Sequence, residues 1–419
     1  MPIRSSVGSW IRENEIQSGH EPVRLSSIGQ GVNGYHEATE YALVDNWHDV
    51  YGATSVPIYQ SATFKQTSAT EFGAYDYSRS GNPTRSHLET HMAKLLGAER
   101  AFALNSGMSA LDAITRLVRA GEEIIAGDDL YGGTNRLLTF LKEMMGVIVH
   151  HVDTRVVENV EEKLNDKTRI VLLETPTNPL LKVADIPGIS RVVHDRSPHI
   201  LVVVDNTMMS PYLQKTLTLG ADIEYHSATK YLSGHHDLMA GVIGCKSEAI
   251  AQKIYFVINS VGSGLGPFES FLLLRGVKTL PIRMEKQQQS TDIVAKFLVE
   301  NGLKVHYVGL PEHPQYELHQ SMSRGAGAVL SFETGSIEKS EQIVSGCKIF
   351  TISVSFGCVN SLISMPCRMS HASIPAHIRA ERQLPEDVIR LSIGIEDVED
   401  LIDDLTNAFL KAGLDVKNF

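Results

Sequence analysis

Between residues 100 and 245, short apolar runs alternate with stretches of helical periodicity. The runs are AFAL (101–104), EIIAG (123–127), VIVHHV (147–152), RIVLLE (169–174), ILVVVD (200–205), IEYHS (223–227) and AGVIGC (240–245). Most lack the polar alternation of a half-solvated strand, so they predict strands buried on both faces of a largely parallel sheet. Between the first two, SALDAITRLVRA places Leu111, Ile114, Leu117 and Val118 at helical spacing. Together these features predict an α/β domain built on a seven-stranded sheet with helices on both faces.

Past GSGLGPFESFLLLRGVKTL (262–280) the texture changes. One long helix over about 267–300 is predicted, followed by LKVHYVGLP, GAVLSFET, KIFTISVSF and DVIRLSIGI. Their more alternating pattern predicts a smaller α+β domain with one sheet face exposed. The expected organisation is an N-terminal arm over 1–60, a large α/β domain over 61–265 and a C-terminal α+β domain over 266–419.

Composition narrows the classes. A chain of 419 residues is too long for one simple core. A formal net charge of -11 gives no reason to expect nucleic acid or an anionic membrane as partner. No run of 18 apolar residues is present, so no membrane span is expected. Cys245, Cys347, Cys358 and Cys367 form no C-x-x-C pair, which indicates neither a zinc site nor a disulfide framework and fits a reducing compartment. The N-terminal stretch MPIRSSVGSWIRENEIQSGHEPVR has the arginine and serine of a transit peptide. Glu13, Glu15 and Glu21 and the missing apolar core argue against one, so a cytoplasmic location is expected.

Chemistry enters at the ends of the predicted strands, where open α/β sheets bind their ligands. AFAL runs into Asn105-Ser106-Gly107-Met108-Ser109, a small-residue helix start whose N–H groups and dipole suit a phosphate. ILVVVD ends in Asp205, a carboxylate that needs a cationic or hydrogen-bonding partner after five apolar residues. IEYHSATK ends in two hydroxyl residues and Lys230, and Tyr131 follows the next strand in GDDLYGGTN. Pyridoxal 5′-phosphate needs this set: an amine for a Schiff base, an acid to keep the ring nitrogen protonated, donors for the phosphate and an aromatic cover for the ring. Other motifs carry less. His235-His236-Asp237 cannot ligate a metal from one helix face, and no third ligand is evident. The segment RGAGAVLSF (324–332) lacks the lysine of a nucleotide-binding loop.

At these residues the chain resembles the Cys/Met-metabolism family of fold-type I pyridoxal-phosphate enzymes. The motifs are YDYSRSGNPTR (75–85), GDDLYGGTNR (127–136), ETPTNP (174–179), VVDNTMMSPY (203–212), HSATKYLSGHHD (226–237) and IRLSIGIED (389–397). The resemblance implies that Lys230 is the covalent cofactor anchor and later the base at the substrate Cα. It makes Asp205 the pyridinium partner, Tyr131 the stacking residue, and Gly107, Met108, Ser227 and Thr229 the phosphate cradle. Tyr77 and Arg79 are implied to reach the phosphate of a neighbouring subunit in a homotetramer, a dimer of dimers with shared active sites. Asn178, Ser355 and Arg390 are implied to grip the substrate carboxylate and the cofactor hydroxyl, a role suited to a guanidinium.

Within the family the reaction is read from finer similarities. SRSGNPTR, YGGTNR, ETPTNP and DNTMMSPY are most similar to cystathionine γ-lyases, whereas residues 355–387 and EEIIAGDDLYGG are most similar to plant-type cystathionine β-lyases. Val354 stands where many γ-lyases and γ-synthases have a glutamate for the distal ammonium, and Asn360 is a second departure. The expectation is γ-elimination of L-cystathionine to L-cysteine, 2-oxobutyrate and ammonia. The alternative is β-elimination to homocysteine, pyruvate and ammonia, and a γ-synthase has less support.

Overall fold

The computed structural model describes residues 35–44, 46, 49–370, 372, 376–381 and 383–416. Residues 1–34 of the predicted arm lie outside the described residues. The chain divides into two units, one made of Ala38–Thr175 with Ala184–Pro281, the other containing Pro176–Val183 and the chain from Ile282 onward.

In the first unit seven strands form one sheet: β1 (Arg100–Leu104), β2 (Glu123–Gly127), β3 (Ile148–Val152), β4 (Thr168–Glu174), β5 (Leu201–Asp205), β6 (Ile223–Ser227) and β7 (Gly241–Cys245). Their order is β1-β7-β6-β5-β4-β2-β3, with β7 antiparallel to both of its neighbours and the other pairings parallel. The carboxyl ends of β1 to β6 therefore share one edge. Ile124, Leu172, Val203, Ile223 and Ile243 are all but inaccessible, each contributing about 1.5–3 kcal/mol by leaving water. Only β3, at the sheet margin, shows solvent-exposed positions at both Ile148 and His151. Among the described residues no helix is long and apolar enough to cross a membrane.

The second unit holds a sheet of β8 (Lys304–His306), β9 (Val329–Glu333), β10 (Thr351–Ile352), β11 (Leu362–Ser364) and β12 (Ile389–Ser392), ordered β10-β11-β12-β9-β8. Two expectations need correction. The single helix over 267–300 is two helices, Pro267–Val277 and Leu280–Glu300. Pro281 has no N–H to give to the Val277 carbonyl, and its ring crowds that turn. The sheet face expected to be exposed is buried. Leu330, Phe332, Ile389 and Leu391 point to the apolar side, where Phe332 meets Phe409 of the helix Val398–Lys411 edge-on at 6.0 Å. On the other side Ser331, Arg390 and Ser364 stand opposite one another in register, and all three are buried. Ser331 Oγ donates to the Pro179 carbonyl at 2.7 Å, so the segment Pro176–Val183 covers the polar face.

Candidate active site

At the carboxyl edge of the seven-stranded sheet, β1 hands over to the helix Gly107–Thr115. Ser106 is its N-cap, its backbone extended (φ -166) and its Oγ accepting from the Ser109 N–H at 3.0 Å. The N–H groups of Gly107 and Met108 have no intrahelical acceptor at this end, which makes them anion donors. Gly107 lies against the end of β6: a methyl on it would sit 2.8 Å from Ser227 Cβ and 2.9 Å from Ser227 Cα. The structure thus brings Gly107, Met108 and Ser227 together. Thr229 is fixed differently, its hydroxyl bonded both ways to the Ala240 backbone at 3.1 and 3.3 Å. That clasp closes the loop 229–240 that begins beside Lys230, whose N–H donates to the Ser227 carbonyl at 3.0 Å.

Next to β6, Asp205 closes β5 opposite Glu174 on β4 and Tyr225 on β6, so the three side chains share one face of the sheet. Burial pushes the Asp205 carboxyl above its ordinary range, against donors from the Thr207 hydroxyl and N–H and from Tyr225. Thr207 N donates to Asp205 Oδ1 at 2.9 Å. Burial also drives the Tyr225 hydroxyl well above its ordinary value, with the Asp205 and Glu174 carboxylates adding to the effect. Glu174 Oε2 accepts from the Tyr131 N–H at 2.9 Å, fixing the residue before the helix Gly132–Met145. The Tyr131 ring and Met108 Sδ crowd the same face of Gly133, within 2.4 and 2.9 Å of where a Cβ would be.

Glu174, Thr207 and Tyr225 were not singled out from sequence as site residues. A hydroxyl two residues after a strand-ending aspartate is a recognisable local acceptor–donor pattern, and Glu174 opens the ETPTNP motif. Nothing local marks Tyr225, whose role depends on the register of β5 against β6.

Tyr77 and Arg79 lie on an exposed loop, with the Arg79 guanidinium 5.2 Å from the Tyr77 ring centre and Arg79 Nε donating to Asn259 Oδ1 at 3.4 Å. The structure pairs them with each other and with Asn259. In the loop after Lys230, His235 Nδ1 donates to the Ser233 carbonyl at 2.6 Å. Burial and then the Lys230 charge hold His236 below its ordinary value. Among the described residues no group of three or more His, Cys, Asp or Glu side chains is disposed to hold a metal ion.

The second unit assembles the other predicted group. Arg390 of β12 is 2% exposed. Its guanidinium donates to Asn178 Oδ1 at 3.0 Å and to the Ser355 carbonyl, and stands 5.7 Å from the centre of the Phe356 ring. Ser355 has φ 95, a conformation that favours glycine. Val354 is 52% exposed and Asn360 is exposed, so neither joins the buried Arg390 cluster.

The first unit fits pyridoxal 5′-phosphate on its own chemistry. It places a glycine-cleared helix start for an anion, an amine at Lys230, and a carboxylate whose raised proton affinity favours a cationic neighbour. Comparison with known proteins agrees. The model of the Cys/Met metabolism PLP-dependent enzymes matches residues 38–410. A Neurospora crassa protein named cystathionine beta-lyase is 62% identical over 379 residues, 90% of this chain and 83% of its own length. A Bacillus subtilis protein named cystathionine gamma-lyase is 44% identical over 360 residues, 85% of this chain and 94% of its own. The crystal structure of cystathionine gamma-lyase from Lactobacillus plantarum complexed with L-serine superposes with a TM-score of 0.86 at 38% identity, covering 90% of this chain and 100% of that one. The chain belongs to the Cys/Met metabolism family of enzymes that depend on pyridoxal phosphate.

Proposed function

We propose that the protein is a cystathionine β-lyase, converting L-cystathionine and water to L-homocysteine, pyruvate and ammonia. This reverses the order expected from sequence, where γ-cleavage came first. The observation that carries it is the gap in identity between the relative named for β-cleavage, 62%, and the one named for γ-cleavage, 44%. Val354 supports the same reading by resemblance, since many γ-lyases and γ-synthases have a glutamate at that position.

When bound, pyridoxal 5′-phosphate supplies the electron sink that lets a Cα–H bond and then a Cβ–S bond break. Lys230 would anchor the cofactor through its amine and then serve as the base for the Cα proton. Asp205 would pair with the ring nitrogen and keep its proton in place. Tyr131 would cover the ring, and the Gly107 and Met108 N–H groups with the Ser227 hydroxyl would hold the phosphate, while Thr229, its hydroxyl bonded to the Ala240 backbone, would fix the turn beside them. The Tyr131 hydroxyl or the Lys230 ammonium protonates the departing sulfur. Arg390 binds the substrate carboxylate in two-point fashion, its guanidinium aimed by Asn178 and Ser355. Tyr77 and Arg79, on an exposed loop, serve the site of a neighbouring copy in a homotetramer.

Cofactor-loaded protein incubated with L-cystathionine, with products identified by mass, tests the reading. Homocysteine with pyruvate is expected. Cysteine with 2-oxobutyrate would overturn it in favour of γ-cleavage.

A further inference from the structure

The residue two places beyond Asp205 uses its hydroxyl twice. Thr207 Oγ1 donates to Asp205 Oδ1 at 2.5 Å and accepts from the Ser227 N–H at 2.8 Å. Asp205 ends β5, and Ser227 ends β6 three residues before Lys230. One hydroxyl therefore spans the carboxylate assigned to the ring nitrogen and the strand end assigned to the phosphate and the lysine.

The residues around this link are pinned. Asn206 donates from its backbone N–H to the Tyr225 carbonyl at 3.0 Å, and from Nδ2 to the Gln214 carbonyl at 2.9 Å and Glu224 Oε1 at 2.8 Å. Glu224, with no exposure, also accepts from Thr216 Oγ1 at 2.6 Å and His226 Nε2 at 2.7 Å. With both strand ends so held, the two bonds of the Thr207 hydroxyl define a separation.

We propose that Thr207 is a positioning residue that sets the distance between Asp205 and the Ser227–Lys230 turn, and with it the fit of the cofactor. Its two donors on one carboxylate oxygen also stabilise the charged form of Asp205. The proposal rests on the roles given to Asp205 and Ser227 and is independent of which C–S bond is cut.

The test compares Thr207→Val, which keeps the shape and removes the hydroxyl, with Thr207→Ser, which restores it, and with Asp205→Ala. Each apoprotein is titrated with pyridoxal 5′-phosphate by absorbance, and the loaded proteins are assayed with L-cystathionine. The valine variant should bind the cofactor about tenfold or more weakly, with kcat reduced and KM for cystathionine unchanged. The serine variant should recover to within about threefold of the parent protein. A purely structural role would not produce this split or the rescue. Normal binding by Thr207→Val beside a large loss in Asp205→Ala would overturn the relay alone. Serine no better than valine would do the same. Normal binding by Asp205→Ala would remove the assignment on which the relay rests. Should the valine variant fail to fold, Thr207→Ala takes its place in the comparison with serine.

Discussion

Gly107→Ala isolates the proposed phosphate cradle. The added methyl would lie 2.8 Å from Ser227 Cβ, 2.9 Å from Ser227 Cα and 3.1 Å from Ser227 Oγ. Carbon pairs prefer about 3.5–4.0 Å, so the intrusion is close to an ångström. Rotating the serine side chain cannot relieve a contact with Cα. The Ser227 backbone is itself held by Thr207 Oγ1 at 2.8 Å and by pairing with Gly241 on β7. The helix start must therefore retreat. Overpacking of this kind costs about 1–3 kcal/mol, and alanine's better helix propensity returns roughly 0.5–1 kcal/mol of that. The thermal midpoint of the apoprotein should fall only modestly. Retreat also withdraws the Gly107 and Met108 N–H groups from the Ser227 hydroxyl. The loss of even one charge-assisted hydrogen bond, about 1.5–3 kcal/mol, weakens cofactor binding by at least about tenfold. Titrating the variant with pyridoxal 5′-phosphate and with unphosphorylated pyridoxal separates the effects. The deficit should appear for the phosphate ester and shrink for pyridoxal. Equal deficits for both, or none for either, would refute the cradle.

Two further perturbations address the other unit and the fold. Arg390→Lys keeps the charge but replaces a planar fork, donating to Asn178 Oδ1 at 3.0 Å and to Ser355, by a point donor. Steady-state kinetics should show KM for L-cystathionine raised about 10- to 100-fold with cofactor affinity intact; an unchanged KM would remove Arg390 from carboxylate binding. His91, whose Nε2 donates to the Tyr41 carbonyl at 3.2 Å, is held by burial down to about 4 from 6.5. Its folded-state value lies below the unfolded one, so it costs nothing above pH 6.5 and destabilises increasingly between 6.5 and 4, by about 3 kcal/mol at the acid end. The thermal midpoint should fall over that window and His91→Gln should flatten the fall; an identical acid profile in the variant would sink the attribution.

The first sheet was legible because its strands, β3 at the margin excepted, are buried on both faces, which leaves largely apolar runs with boundaries within a residue of the observed ones, as at Arg100–Leu104 and Gly241–Cys245. The second sheet was less so. β10 has two residues and β11 three, too few to carry a period. The alternation in GAVLSFET and DVIRLSIGI is real, but a covering segment from elsewhere in the chain buries its polar face. Candidate site residues were readable where residue type and a strand end coincide, as at Asp205, which closes β5, and Lys230, three residues past β6. Tyr225 and the double use of the Thr207 hydroxyl depend on neighbours brought in by register, which local sequence does not contain.

Two buried carboxylates in the first unit show how structure separates a tie from a site. Burial alone would raise the pKa of both. Glu224 nevertheless sits below its ordinary range, because donors from His226, Asn206 and Thr216 outweigh the loss of water. Its charge is satisfied within the protein, and it fastens β6 to the segment after β5. Asp205, with Thr207 and Tyr225 as donors, stays above its ordinary range. The protein alone under-compensates that charge, and an apposed pyridinium would supply the balance. The second unit departs from local rules in the same way. It buries Arg390 to 2% exposure and holds Ser355 at φ 95, a conformation costing about 1–3 kcal/mol. The Ser355 carbonyl accepts from that same arginine. Both features fall on residues to which substrate binding is assigned. The raised proton affinity of Asp205 and the strained backbone of Ser355 accord with the roles proposed for those two residues.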